Sequence, residues 1–451
     1  MRIEDTSLRS PEDSLRKIER VVSPRFGIAR TITRIQLGPD EPRLHLFSVE
    51  PAYRSLGGLG AARNTGGAGL SVTDAKLSAL GELLEGYCAA AMPPKMEIFG
   101  TYKELSRHHE VVEPARFALF SENQYASNGF PFRPFNEDTP VAWVWGYSLI
   151  REKRVLVPAS RVYLPYSKRP EEADIGPLLS TGLAGAGSLE TAILSGLYEC
   201  IERDAFTIFW LNNLPVRRID IRGSSSAVPF KRLHDELFDV SGYEYHVYDI
   251  TNDLNVSTIY VILAVNSPRG KIYPIGASSR LDGVEAVFKA VTEAIQGKPY
   301  VLHEMKQEPN WRPRPDFADV DSFARSCKVY SIEPALVPHL LSVEERAHAT
   351  VTLENLPRWE TPGAVAAIQH ITNQLRARDY EAIIVDLTTS DVDALGVKVV
   401  RVITPELQHL HGHHAWPFLG GRRIFEVPAR LGFREGMPTE KAFCQYPHPF
   451  P

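Results

Sequence analysis

Three short patterns in the chain bring oxygen donors together at helical spacing: Glu82-x-x-Glu85, Glu199-x-x-Glu202 followed directly by Arg203, and Glu293-x-x-Gln296. Residues three apart on a helix lie on neighbouring edges of one face, so each pattern aims two carboxyl or amide groups in a shared direction. Ser78 joins the first pattern, because 78, 82 and 85 fall at i, i+4 and i+7 of one stripe. Such groups are costly to bury unless they gain partners. Carboxylates without histidine or cysteine suit a hard cation such as magnesium, which normally arrives with phosphates. Arg203 adds a planar guanidinium for the anionic side of a nucleotide. Together the patterns describe an ATP-like, multi-magnesium site built without a P-loop. Taken singly, each is equally well served by an ion-paired surface helix.

Each pattern needs a helix to carry it. A small-residue turn containing Gly182, Gly185 and Gly187 precedes the segment around Glu199, and Ser188 is placed to cap its first N–H groups. A glycine-rich stretch, 55–71, reads as a loop that feeds a helix over about 73–92. The third helix is predicted over about 283–302, where Ala286, Ala290 and Ala294 permit close packing. Other predicted elements are helices over 11–22 and 362–378, a hairpin within 141–164, and strands over 257–266, 382–388 and 397–404. A small edge helix is expected within 215–240, while 305–360, rich in proline and charge, reads as a surface excursion. The fold class is α+β (mixed α/β), with sheets from these strands and the three acidic helices converging on a cleft. Residues 1–54 read as a lead-in packed on the main domain, and 55–451 as one catalytic domain ending in the tail 447–451.

Composition sets outer limits. The chain has 451 residues, 43% of them hydrophobic and 23% charged, which is the balance of an ordinary globular protein. A formal net charge of -5 without a basic block gives no footprint for nucleic acid. The charged N-terminus has no apolar run for a signal peptide or membrane span, so the expected location is cytoplasmic, with no membrane partner. Cys88, Cys200, Cys327 and Cys444 are widely spaced and suit reduced, buried thiols. Cys200 in particular reads as a small core residue, and at least one of Trp143 and Trp145 as core. His409, His411, His413 and His414 sit in a loop-rich region, where solvated or peptide-contacting histidines are expected over structural zinc.

From about Ser55 onward the chain resembles the YcaO family, and in particular its stand-alone D-type cyclodehydratases of azole-containing peptides. The resemblance rests on four features in order: AKLSALGELLE with Ser78, Glu82 and Glu85; STGLAGAGSLETAILSGLYECIERDA with Glu199, Glu202 and Arg203; AVFKAVTEAIQGK with Glu293 and Gln296; and the terminal PHPFP. It implies that a Cys, Ser or Thr side chain of a ribosomally made precursor peptide attacks the preceding carbonyl, and that ATP phosphorylates the resulting oxyanion. Loss of phosphate then leaves a thiazoline or oxazoline. Glu82, Glu85, Glu199 and Glu202 would hold Mg2+. Ser78, Arg203, Glu293 and Gln296 would bind ATP, and the Pro451 carboxylate would order the peptide or act as base.

The implied partners are the precursor peptide, a separate leader-peptide-binding (E1-like, C-type) protein, since about 50 residues leave no room for such a module, and a flavin-dependent dehydrogenase where azoles are formed. The implied assembly is a homodimer or a hetero-oligomeric synthetase. The chain departs from the family pattern at Ala68, Gly86, Thr191 and Lys298, where lysine, arginine, glutamate and arginine are usual. Glu190 points about 180° round the helix from Glu199 and is no simple replacement for a glutamate at 191. Two alternatives therefore stay open: thioamide or amidine formation by the same ATP chemistry, and a degenerate scaffold that binds peptide or partner without ATP turnover.

Overall fold

The β-branched and aromatic runs become strands and the three acidic segments become helices in the computed structural model, which describes residues 10–52, 64–93, 97–221 and 237–451. The chain separates into two units by its internal contacts. One comprises Met1–Gln36, His45–Cys200 and Thr361–Glu406, the other Leu37–Leu44, Ile201–Glu360 and Leu407–Pro451.

The first unit holds two sheets. Ala29–Ile35 (β1), His45–Pro51 (β2) and Thr65–Gly69 (β3) form an antiparallel sheet in which Ala68 pairs with Leu46. Helix α1, Pro11–Ile18, is started by Ser10, whose hydroxyl accepts the Asp13 N–H at 3.1 Å. Helix α2, Val72–Ala90, packs against β2 and β3 through Ala75, Ala79, Leu80 and Leu83, all fully buried. The second sheet runs Ile98–Gly100 (β4), Val141–Ser148 (β5), Ile383–Asp386 (β14), Lys398–Ile403 (β15), Leu183–Ala186 (β7), with Lys153–Pro158 (β6) on β5. The expected hairpin is β5–β6, and Trp143 is its core residue, with the indole N–H donated to the Gly100 carbonyl at 3.0 Å.

The second unit is built on one sheet. Val216–Asp220 (β8), Tyr243–Asp249 (β9), Ser257–Ser267 (β10) and Gly270–Ile272 (β11) are joined by Ile275–Arg280 (β12) on β10 and Ala347–Thr352 (β13) on β8. The β13–β8 pairing is parallel and the others are antiparallel. Residues 257–265 are buried without interruption, as expected of a strand covered on both faces. Helix α4, Gly283–Gln307, lies on β10 and β12. Helices α5, Ala364–Arg376, and α6, Arg423–Arg430, belong to the first and second units respectively. Helix α3, Leu189–Asn212, contains the division between the units, which falls between Cys200 and Ile201.

Two expectations are corrected. Residues 305–360 are no surface excursion: Val320, Val329, Tyr330, Leu340 and Val343 are in the core of the second unit, and 347–352 form a strand. Val329, Tyr330 and Leu340 come from helical pieces of four and five residues, too short to show a 3.6-residue period. Within the glycine-rich stretch, 65–69 is a strand and not loop, while 55–63 lie outside the described residues. The four cysteines are buried and free, as expected, and Cys200 Sγ lies 3.7 Å from the Val402 carbonyl. The edge helix expected within 215–240 falls mostly on 222–236, also outside the described residues. No helix among the described residues is long and apolar enough to cross a membrane.

Candidate active site: three capped helices and a docked tail

The three acidic helices share one local construction. Ser71 accepts the Asp74 N–H at 3.0 Å, Ser188 accepts the Thr191 N–H at 3.2 Å, and Asp282 accepts the N–H groups of Val284 and Glu285 at 3.0 and 3.1 Å. Each cap satisfies N–H groups that the helix start leaves open. Eleven residues after the caps stand Glu82, Glu199 and Glu293; fourteen after stand Glu85, Glu202 and Gln296. The glutamates at the eleventh position each accept a backbone N–H from the strand or turn that leads into their helix. Gly66 donates to Glu82 at 3.1 Å, Gly182 to Glu199 at 3.1 Å, and Ala277 to Glu293 at 2.9 Å. Each carboxylate thus has one oxygen fixed by main chain. The fixing costs no side-chain rotamer freedom on the donor side.

Two glycines make this approach possible. A Cβ at Gly67 would stand 2.2 Å from the Ala79 nitrogen and 2.4 Å from the Ala75 carbonyl oxygen, so α2 can reach β3 only over glycine. Gly182 has φ +83°, and a Cβ there would stand 2.1 Å from the Val402 carbonyl oxygen.

In the first unit, Glu85 accepts the Gly185 N–H at 2.7 Å. Burial pushes its carboxyl well above the usual range, and the charges of Glu82 and Glu199 push it further; the Gly185 N–H and the more distant Arg401 oppose them. The unit therefore gathers Glu82, Glu85 and Glu199 close enough to repel. Ser78 stands exposed on α2. The other assigned residues, Glu202, Arg203, Glu293, Gln296 and Pro451, belong to the second unit. Glu202 Oε1 lies 3.6 Å from Arg203 Nε. Asp204 beside them is fully buried and accepts from Arg423 at 2.6 and 2.8 Å, from Asn252 at 2.7 Å and from the Gln408 N–H at 2.7 Å. This satisfied ion pair fixes α3 in the second unit immediately after Arg203.

The Pro447–Pro451 tail folds onto the C-terminal half of α3. Tyr330 donates its hydroxyl to the Pro447 carbonyl at 2.6 Å, and Trp210 Nε1 donates to the Tyr446 carbonyl at 3.2 Å. His448 Nε2 donates to the His411 carbonyl at 2.6 Å, so its Nδ1 accepts the Phe450 N–H at 3.1 Å. Burial holds this imidazole neutral, with its pKa down at about 4. Phe450 is fully buried, edge-on to Phe206 at 4.8 Å, with the Arg203 guanidinium 4.0 Å from its ring centroid. Pro451 is half-buried.

The residues that departed from the resembled pattern have local occupations. Thr191 is exposed at the third helical position, its hydroxyl 3.0 Å from the Ser188 hydroxyl, in the same cap position as Asp74 and Glu285. Lys298 is ion-paired with Glu41, and its ammonium also donates to the Tyr243 hydroxyl at 2.8 Å. Within the histidine tract His409, His413 and His414 are partly exposed, whereas His411 is buried edge-on to His448 at 4.8 Å and so is not solvated; burial lowers the pKa of both His411 and His414.

Among the described residues, no three acidic, histidine or cysteine side chains already surround one metal-sized point. Magnesium is commonly held by one or two carboxylates together with phosphate oxygens and water, rather than by an all-protein cage. An all-oxygen donor set whose carboxyl at Glu85 is pushed up by burial, and further by the carboxylates of Glu82 and Glu199, fits such an ion. Reasoning from side chains alone missed the N–H groups of Gly66, Gly182, Gly185 and Ala277, which carry no side-chain signature. It also missed Arg401, whose signal was available: a charge in the middle of the apolar strand VKVVRVIT, whose other charge, Lys398, stands at the strand's start.

Comparison with known proteins finds relatives in sequence and in fold. A protein from Methanothermobacter thermautotrophicus with no described function is 28% identical over 364 residues, covering 80% of this chain and 85% of its own length. Three solved structures share the fold. A heterocyclase in complex with substrate and cofactor has a TM-score of 0.80 at 23% identity, and covers 100% of this chain. YcaO from Methanopyrus kandleri, bound with AMPPCP and Mg2+, has a TM-score of 0.61 at 20% identity, covering 89% of this chain and 92% of its own. The E. coli microcin synthetase McbBCD complex with pro-MccB17 bound has a TM-score of 0.56 at 17% identity, covering 83% and 88%. The present chain spans 58% of the length of that first heterocyclase. A family profile described as YcaO cyclodehydratase, ATP- and Mg2+-binding, matches residues 66–408. The chain belongs to the YcaO family, and its cofactors are ATP and Mg2+.

Proposed function

We propose that this chain catalyses ATP-dependent cyclodehydration of Cys, Ser or Thr residues in a ribosomally made precursor peptide, giving thiazolines or oxazolines. The observation that carries the reading is the docked tail: Pro447–Pro451 is seated on α3, with Phe450 against Arg203. Bound ATP supplies the phosphoryl group that turns a poor amide-oxygen leaving group into a good one, with Mg2+ neutralising the charge that develops. Glu82, Glu85, Glu199 and Glu202 are assigned to metal. In the first three of these one oxygen is already oriented by a main-chain N–H. Ser78, Arg203, Glu293 and Gln296 are assigned to the nucleotide. Arg203, flanked by Glu202 and the Phe450 ring, is held as a planar donor for phosphate oxygen. Pro451, next to the locked Phe450, orders the substrate peptide and with a free carboxylate would take the proton from the attacking side chain.

The partners proposed are a leader-peptide-binding protein and, where azoles are the product, a flavin-dependent dehydrogenase. The test incubates the chain and its leader-binding partner with a Cys/Ser/Thr-rich precursor, ATP and Mg2+. The expected result is loss of one water mass per modified residue, with one phosphate released each time. Exchange of the amide oxygen for sulfur, a net gain of mass, would instead indicate thioamide formation, and failure to bind ATP with Mg2+ would indicate a scaffold.

A further inference from the structure

Arg401 sits in β15 opposite Leu183 of β7 and is almost fully buried. Its side chain gathers main-chain carbonyls: Nε donates to Val162 at 3.0 Å, and Nη1 to Ser180 at 2.5 Å and Thr181 at 3.0 Å. The Thr181 carbonyl and the Gly182 N–H belong to one peptide unit. That N–H is the donor to Glu199. A trans peptide points its C=O and N–H in opposite directions, so a cation on the oxygen and an anion on the hydrogen are both aligned with the same dipole. Hydrogen bonds linked in this way strengthen one another in a low-dielectric interior. The other side of the turn is closed by the Val402 N–H, which donates to the Gly182 carbonyl at 2.7 Å. The two peptide units that flank the Gly182 Cα are thereby held from consecutive residues of one strand.

We infer that Arg401 is a positioning residue of the metal site: through the Thr181–Gly182 peptide it fixes the Glu199 carboxylate, and with it the geometry offered to a divalent cation. The inference rests on the assignment of Glu199 to metal. A purely structural reading explains a buried arginine bonded to carbonyls. It does not explain why the bonded carbonyl is the one whose own peptide holds a site glutamate. Arg401 is also an electrostatic neighbour of Glu199 and Glu85, and burial brings its pKa down only to about 10, so it stays charged at neutral pH.

The test measures Mn2+ binding by electron paramagnetic resonance, in the presence of a non-hydrolysable ATP analogue, for the full chain and for Arg401→Lys and Arg401→Met. Lysine keeps the charge but cannot span three carbonyls. Partners that orient a metal ligand are worth about 10–100-fold in metal affinity, so Arg401→Lys is expected to weaken Mn2+ by about tenfold and Arg401→Met by more. In a Glu199→Gln background the Arg401→Lys effect should shrink to less than about twofold, because the group it acts through is gone. Equal Mn2+ affinity in folded Arg401→Lys and wild type, or an undiminished effect in the Glu199→Gln background, overturns the inference. Should neither Arg401 variant fold, hydrogen exchange of the 180–185 segment in the wild type decides: protection must rise when Mn2+ and the analogue bind, and an unchanged rate overturns the proposal. If the wild type itself binds no Mn2+ with the analogue, it is the metal assignment of Glu199 that fails.

Discussion

Replacing Phe450 gives the sharpest reading of the tail. Its ring is fully buried, meets Phe206 at 4.8 Å and lies under the Arg203 guanidinium at 4.0 Å. Truncating a buried phenylalanine to alanine costs about 3–5 kcal/mol in transfer and cavity terms, and a desolvated cation–π contact adds about 2 kcal/mol. Leucine refills most of the volume at about 1–1.5 kcal/mol but presents no aromatic face, leaving the cation–π term as the main difference from phenylalanine. Spread over a unit of roughly 200 residues, where about 1 kcal/mol moves Tm by 2–4 °C, Phe450→Ala should lower Tm by on the order of 10 °C. Phe450→Leu should lower it by about half of that or less. Where the tail detaches before the unit melts, the same loss appears as faster hydrogen exchange of residues 444–450 at unchanged Tm. The discriminating assay is affinity for Mg·ATP: Phe450→Leu keeps the tail seated yet frees the guanidinium, so it should weaken ATP while losing less stability than Phe450→Ala. An alanine variant with wild-type Tm and wild-type tail exchange would refute the packing argument. A leucine variant with wild-type ATP affinity would refute the role of the ring on Arg203.

The remaining predictions concern charge. Glu85 has a folded pKa raised above its unfolded value, so its stabilising share is complete below the unfolded carboxyl range and is lost as pH rises through the folded pKa. Metal-free protein should therefore lose stability from about pH 4.3 upward, and Glu85→Gln, which can still accept the Gly185 N–H, should flatten that slope; urea unfolding in a chelator at several pH values checks it, and an unaltered slope would count against the buried-charge account. Thr191→Glu places a carboxylate at an exposed third helical position behind a serine cap, so stability should change by less than about 0.5 kcal/mol or rise slightly, while calorimetry should show tighter, more Mg2+-dependent ATP binding if position 191 can serve the metal. Unchanged ATP binding in that variant would show that the chain has no vacancy there.

Much of this was legible from residue types. Glu82/Glu85, Glu199/Glu202 and Glu293/Gln296 could be read because helical spacing is a side-chain property, and the caps Ser71, Ser188 and Asp282 are ordinary helix-start residues. What holds those carboxylates was not legible. The donors are main-chain N–H groups, those of Gly66, Gly182 and Ala277 on the strand or turn ahead of the helix and that of Gly185 far from Glu85 in sequence, and any residue type except proline offers one. The region 305–360 was misjudged for a related reason, since Tyr330 and Leu340 reach the core from short helical pieces and Val320 from the loop before them, none long enough to show a period. Thr191 looked like a missing ligand from the pattern alone; the structure gives it a second occupation, as part of the cap, that the pattern could not distinguish.

The repeated count from cap to carboxylate makes each of the three helices a ruler whose zero is the capping side chain. One inserted residue between cap and glutamate would swing the carboxylate by about 100° and move it about 1.5 Å along the axis, away from the N–H that fixes it. Chain length is therefore constrained in three eleven-residue intervals, ending at Glu82, Glu199 and Glu293, more tightly than the identity of many residues inside them. Beyond the fourteenth position the constraint lapses: α2 stops at Ala90, whereas α4 continues to Gln307. Insertions and deletions compatible with a working site should collect in those far ends and in the connections, leaving the three measured lengths untouched.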